Sequence, residues 1–279
     1  MTDFLHFIDT MPEWQKVGWF IGCLVFCWTL EALTPLVRAD YHKLRHDAFN
    51  LGLFFLNGII AAPVVVMTSV VIVWGDTNQF GLLYHIDLPI WAELFIAVLL
   101  LDFVAQYGIH YLLHHVKWLW RLHLVHHADT HVDATTGTRH HPGDLIMRLV
   151  AAMAIILVLG IPAVYYLVYR LLTLFFGYFT HANIRLPAQI DRALSYLIVT
   201  PDMHKFHHHH EAPWTDSNFG NVFSIWDRLF GTLVYENTAD IRYGLDVMDD
   251  SRDTDFLYQI KAPIDRGIDT SRRPGESAL

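Results

Sequence analysis

The chain has 279 residues, 53% hydrophobic and 14% aromatic, with a formal charge of -9 at pH 7 and a mean hydropathy of +0.30. That is too apolar for an ordinary soluble domain and points to the membrane class. The acidic balance excludes a nucleic-acid partner, which would want a basic face.

In chain order, the opening "MTDFLHFIDTMPEW" is acidic where a signal peptide would be basic, so no cleaved leader is expected. Residues 17–37 form a first apolar block, interrupted by Glu31 and ended by Pro35. Cys23 and Cys27 lie inside it and read as small buried hydrophobes. A second block, 51–74, carries Asn57 and Pro63 but no charge, the strongest membrane signal in the chain. A third, 88–113, contains Glu93 and Asp102. The fourth, 145–179, is too long for one crossing at about 20 residues per span. The "LGIPA" at 159–163 breaks it into a predicted helical hairpin.

The expected fold is therefore all-α and integral to the membrane, with four to five transmembrane or re-entrant helices. One domain is expected over 1–279, with transmembrane helices within 17–101 and a catalytic region at 102–263. A polar tail follows at 264–279. Arg38, Lys43 and Arg45 sit between the first two blocks, whereas Asp76 and Asp87 sit between the next two. The positive-inside rule then places a histidine-rich helical cap on the cytoplasmic side.

Of 19 histidines, 15 fall between His110 and His210. "HYLLHH" spaces His110 and His114 by four, with His115 an alternative partner. "HLVHH" puts His123, His126 and His127 at i, i+3 and i+4, and "HKFHH" repeats this with His204, His207 and His208. Such residues share a helix face, close enough to hold one ion or two adjacent ions. Further candidates are His140 and His141 in "TRHHPGD" and His181 in "FTHANI", while His209 and His210 lie beyond the repeated unit. A zinc-protease helix is excluded, because Trp214 stands where the second histidine belongs and Pro213 would break the helix. No Glu-x-x-His occurs, which excludes a carboxylate-rich diiron bundle. What remains is an almost all-imidazole site with more ligands than one metal uses.

Over 102–263 the chain resembles the fatty acid hydroxylase/sterol desaturase superfamily of membrane diiron enzymes. The resemblance rests on "LWRLHLVHHAD", "TTGTRHHPGD", "FTHANIRLP" and "VTPDMHKFHHHH", followed by "TDSNFGNVFSIWDRLFGT". Tyr111 stands where the family usually has Arg. The resemblance implies two iron ions, with zinc an alternative occupant on isolation. Their implied ligands are His110, His114, His123, His126, His127, His204, His207 and His208, with His141 and His181 as additional ones. It implies a lipid substrate, O2, and electrons from a separate ferredoxin or cytochrome b5-like donor. Asp102, Asp129, Asp133, Asp202 and Asp227 lie near enough in sequence to orient ligand rings. Asp102, Gln106, His110 and His114 fall at successive i+4 positions, and Asn183 and Asn218 match family positions. Hydroxylation is the first expectation, desaturation the second, and ether-lipid oxygenation a third, which the "NFGNVFSIWDRLFGT" region also resembles. From another class, metal transport would place ionisable ligands near the bilayer midplane. Here the histidines crowd at one end of the spans.

Overall fold

The computed structural model describes residues 1–37, 41–210, 214–236, 238 and 241–270. Arg38, Pro213 and the tail beyond 270, which figure in the expectations above, lie outside these. The described residues contain helices and no strand, only isolated bridges such as Pro35 to Ile184. Five helical segments are long and apolar enough to cross a membrane.

The short α1 (Thr2–Asp9) precedes α2 (Glu13–Leu33). Helix α3 (Lys43–Thr77) runs through Pro63 without breaking. Its surface carries Val66, Val70 and Val73, all more than 60% exposed. Valines bared to that extent suit lipid, and the protein is integral to a membrane. Helix α4 (Ile90–Leu101) widens into a π-helical stretch, Asp102–Gly108, and continues as α5 (Ile109–His115). Val116 takes an extended backbone (φ -103°, ψ 110°), which turns the chain into α6 (Lys117–His127).

The hairpin lies where "LGIPA" predicts it. Helix α7 (Pro142–Leu159) starts on a proline, whose missing N–H costs nothing in the first turn. It ends at Gly160, a left-handed residue (φ 71°, ψ 48°) that returns the chain into α8 (Ala163–His181). Tyr165 and Tyr169 of α8 pack on Ala97 and Leu101 of α4 and on Ala152 and Ile156 of α7. Cys23 and Cys27 are buried and unpaired against Phe176 and Phe179, as small hydrophobes should be.

Short cap helices follow: α9 (Ala188–Leu194), α10 (Pro201–His207), α11 (Ile225–Phe230) and α12 (Phe256–Lys261). Ala262 and Ile268 bury against Trp120 and Leu124 of α6, so the segment after α12 rests on the protein core. Arg121 fastens it by donating to the carbonyls of Pro263, Ile268 and Asp265.

A short helical loop, Ala134–Thr138, joins α6 to α7 and is capped by Asp133, which accepts from the Thr135 N–H at 2.9 Å. Gly137 brings this loop onto α8 at Gly177. A Cβ on Gly137 would stand 1.9 Å from the Gly177 carbonyl oxygen. Only glycine permits that approach.

Candidate metal centre

The ends of α5, α6, α8 and α10 converge. His110, His114, His123, His127 and His207 form one group, and His126, His181, His204 and His208 a second. Within each group, one nitrogen per ring lies within 4.8 Å of all the others. The groups adjoin, with the His127 and His208 rings stacked 4.5 Å apart. Nine of the ten candidate histidines are thus brought together. His141 is not: it caps α7, its Nδ1 accepting from the Gly143 N–H at 3.1 Å. Its neighbour His140 instead stacks on His126 at 4.3 Å. His114 rather than His115 turns inward, since His115 stacks on Tyr111 and donates to the Tyr111 carbonyl. His210 leaves the groups and donates to the Gly244 carbonyl.

The rings are oriented from behind. His110 Nδ1 donates to the Phe219 carbonyl at 2.9 Å, His126 to Arg139 at 3.1 Å, His181 to Gly177 at 2.7 Å and His207 to Ser217 at 2.7 Å. A carbonyl only accepts, so the proton is on Nδ1 and each Nε2 keeps its lone pair. Carboxylates do the same for His123, which donates to Asp144 at 2.6 Å, and for His114, which faces Asp216 at 3.2 Å.

This arrangement tests whether the residues suit a metal. His110 Nε2 and His123 Nε2 are 3.0 Å apart, and His126 Nε2 and His181 Nε2 are 3.2 Å apart. In both pairs, two lone pairs face each other. Burial, opposed by Asp144, pushes His123 down to about 4. Burial and then the neighbouring imidazoles hold His126 well below its usual value, so one ring of each pair stays neutral. The same causes depress His127, His204, His207 and His208. Nε2 of His114, His127 and His207 and both nitrogens of His208 are buried with no hydrogen-bond partner among the described residues. Such a set is costly by itself and is relieved by a cation among the inward nitrogens. The residues fit a metal.

The other named residues hold the frame. Asp102 accepts from the backbone N–H groups of Val222 and Phe223, each at 3.2 Å, and from the Trp226 indole at 3.1 Å. It pins the loop that carries Phe219, and no bond joins it to a histidine among the described residues. Asp227, pushed up to about 6 by burial, accepts from Phe219 and Gly220 in the same loop. Asn218 ties Met203 on α10 to Val234, and Asn183 ties the end of α8 to Val37. Asp202 accepts from Thr238.

Asp129 and Asp133 belong to a buried network with Glu31, Lys43, His46 and Asp47. Although His46, Asp47 and Asp133 are grouped like metal ligands, Lys43 Nζ already lies 2.7 Å from Asp133 and 3.1 Å from Glu31. Lys205, inside the third histidine motif, is fully buried and donates to the Ile184 carbonyl. Burial pushes it down to about 8, against the pull of Asp202, Glu31 and Asp191.

Asp144 and Arg148 carry roles that the motifs alone do not assign. Asp144 receives His123, His140 and the Arg148 guanidinium. Its only signal in the sequence is the i, i+4 spacing to His140 behind and Arg148 ahead. Beside the histidines, a cavity of about 260 Å³ runs between α3, α7 and α8, lined by Ala61, Val65, Leu149 and Leu174 as well as His110, His126, His181 and His204.

The sequence profile of the fatty acid hydroxylase family matches residues 94–232, which include all nine grouped histidines. Among curated relatives, the ornithine lipid hydroxylase of Rhizobium tropici is 28% identical over 210 residues, covering 73% of this chain and 62% of that protein. The alkylglycerol monooxygenase of Homo sapiens is 27% identical over 251 residues, covering 85% and 52% respectively. A cholesterol 25-hydroxylase-like protein of Danio rerio is 30% identical over 143 residues, or 50% and 56%. The chain thus spans between half and two thirds of the length of these relatives. No solved structure matches it. By its profile match, its relatives and its histidine constellation, the chain belongs to the fatty acid hydroxylase family.

Proposed function

We propose that the protein is a membrane-bound oxidoreductase that hydroxylates a lipid, using two iron ions held by the nine grouped histidines. The observation that carries this reading is the pair of adjoining imidazole groups, Nε2 lone pairs inward, beside a cavity between membrane-spanning helices. His141 is not among the proposed ligands, because its ring is spent on the α7 cap. Iron would supply the redox chemistry that no side chain has, the activation of O2 for attack on an unactivated C–H bond. The balanced reaction puts one oxygen atom into the lipid and reduces the other to water with two electrons and two protons. The electrons come from a separate donor of the ferredoxin or cytochrome b5 type.

The chain's own residues do the rest. Phe219, Ser217, Arg139, Gly177 and Asp144 fix the ligand rings, and burial keeps those rings neutral and dry. Ala61, Val65, Leu149 and Leu174 give a hydrocarbon chain an apolar bed that ends at the histidines. The likeness to alkylglycerol monooxygenases over most of the chain favours an ether lipid among the candidates. In the test, purified protein receives a reductant system, membrane lipid and isotopically labelled O2. Label should appear in lipid. If metal-loaded protein with a competent donor consumes no O2 above background, the reading gives way to metal handling.

The chain would act as one domain with the histidines on the cytoplasmic side, as the lysine and arginine distribution supports. Cysteines introduced at positions 80 and 130 report the orientation. An impermeant reagent outside intact cells should label 80 only, and labelling of 130 alone would invert the topology.

A further inference from the structure

Arg148 lies in the wall of the cavity, one turn along α7 from Asp144. Its Nε donates to Asp144 Oδ1 at 2.8 Å and its Nη1 to Gln106 Oε1 at 2.8 Å. Gln106 is itself oriented by Tyr169, whose hydroxyl oxygen accepts from the Gln106 amide at 3.2 Å. The guanidinium is therefore clamped on two sides, with a side chain only 12% exposed. Its Nη2 takes no partner among the described residues. A fixed cation with an unengaged N–H donor group thus lines a cavity whose wall is apolar along Ala61, Val65, Leu145, Leu149 and Leu174, with the histidines at one end and Arg170 as the other cation in its lining.

Leaving such donors without an acceptor is costly, and more so among membrane-spanning helices. A wholly apolar ligand would bring that cost with it. A ligand with an oxygen acceptor in reach of Nη2 removes it, and Arg suits such an acceptor because its fork is planar and permanently charged. Asp144 links the same guanidinium to His123, so whatever Arg148 holds sits beside the first histidine group.

We propose that Arg148 is the specificity-determining anchor of the cavity. It binds an oxygen acceptor at the polar end of a lipid, a glycerol hydroxyl or ether oxygen or a phosphate oxygen. The carbon presented to the histidines then lies within a few bonds of that polar group, and the tail runs away between α3, α7 and α8. This deepens the lipid-hydroxylase reading and rests on it for the word substrate, but the binding itself does not require turnover.

The test uses the purified full chain without reductant, so that no reaction occurs, and follows the retention of three probes with one chain length: hexadecylglycerol, hexadecyl phosphate and hexadecane. The wild type should hold at least one polar probe about tenfold or more tightly than hexadecane, the order expected of hydrogen bonds to a charged group. The tighter of the two polar probes tells a neutral oxygen from an anionic one. Arg148→Gln should remove the preference, leave hexadecane binding unchanged and, at matched metal content, keep the fold. Equal retention of all three probes by the wild type overturns the proposal, with no variant needed. So does an Arg148→Gln protein that weakens all three equally, the mark of a merely structural residue. Failure of O2 turnover with the polar preference intact would sink the oxygenase reading and leave this one standing.

Discussion

His126→Ala and His207→Ala should each lose bound metal and all turnover, while His6→Ala and His85→Ala keep both. The two pairs differ in what surrounds the ring. His126 and His207 are at most 2% exposed, each belongs to one of the two groups, and each has its Nδ1 held by a main-chain carbonyl. Removing one opens a gap that water cannot fill with the same fixed lone pair, and the remaining rings are oriented for a ligand that is gone. His6 and His85 are exposed, near the opposite end of the helices. Elemental analysis of purified protein reads the difference directly. Retention of full metal by both His126→Ala and His207→Ala would show that the groups are not the metal site. Because either group can be emptied separately, the two variants also report whether one ion holds without the other.

Gly137→Ala should be nearly as damaging, although glycine supplies no metal ligand; its Cβ would also stand 3.2 Å from His181 Nδ1. The added methyl would lie 1.9 Å from the Gly177 carbonyl oxygen and 2.6 Å from its carbon. Both are backbone atoms of α8, so no side-chain rotation relieves the clash, and either the loop or the helix must move. The cost is about 3 kcal/mol or more, at the upper end for overpacking. Movement there parts Arg139 and His126 from His181, because the loop carries the first and α8 the last. Gly177→Ala is the control across the same contact. Its methyl would meet nothing nearer than the Gly137 oxygen at 3.9 Å and should be tolerated. Thermal unfolding with metal analysis separates the two, and equal stability of both variants would contradict the packing argument.

The histidine motifs were legible because their information is local. Spacings of three and four on a helix put rings on one face whatever the rest of the chain does, and an apolar block interrupted by "LGIPA" reads as a hairpin for similarly local reasons. The support behind the rings was not legible. Four of the acceptors are main-chain carbonyls, of Phe219, Ser217, Arg139 and Gly177, and every residue type has a carbonyl. The choice between His140 and His141 turned on which ring Pro142 and the α7 cap consume, a matter of the fold and not of the motif. Asp102 looked like a partner for ligands on its own helix. It faces instead the loop of Val222 and Phe223, because the wide turn that begins at Asp102 breaks the i+4 stripe.

That wide turn sets the rotational phase of everything beyond it. A π-helical stretch accommodates a residue more per turn than the α-helix around it. Were the same residues, Asp102–Gly108, wound as ordinary α-helix instead, α4 and α5 would fuse into one regular helix with a residue too many for the present alignment. Every side chain beyond would then swing by about 100° about the axis, the angle of one α-helical step. His110 and His114 would leave the company of His123, His127 and His207 together, without any histidine having been changed. The spacing inside the first motif is therefore only half of its specification; the other half is the frame in which the preceding helix delivers it.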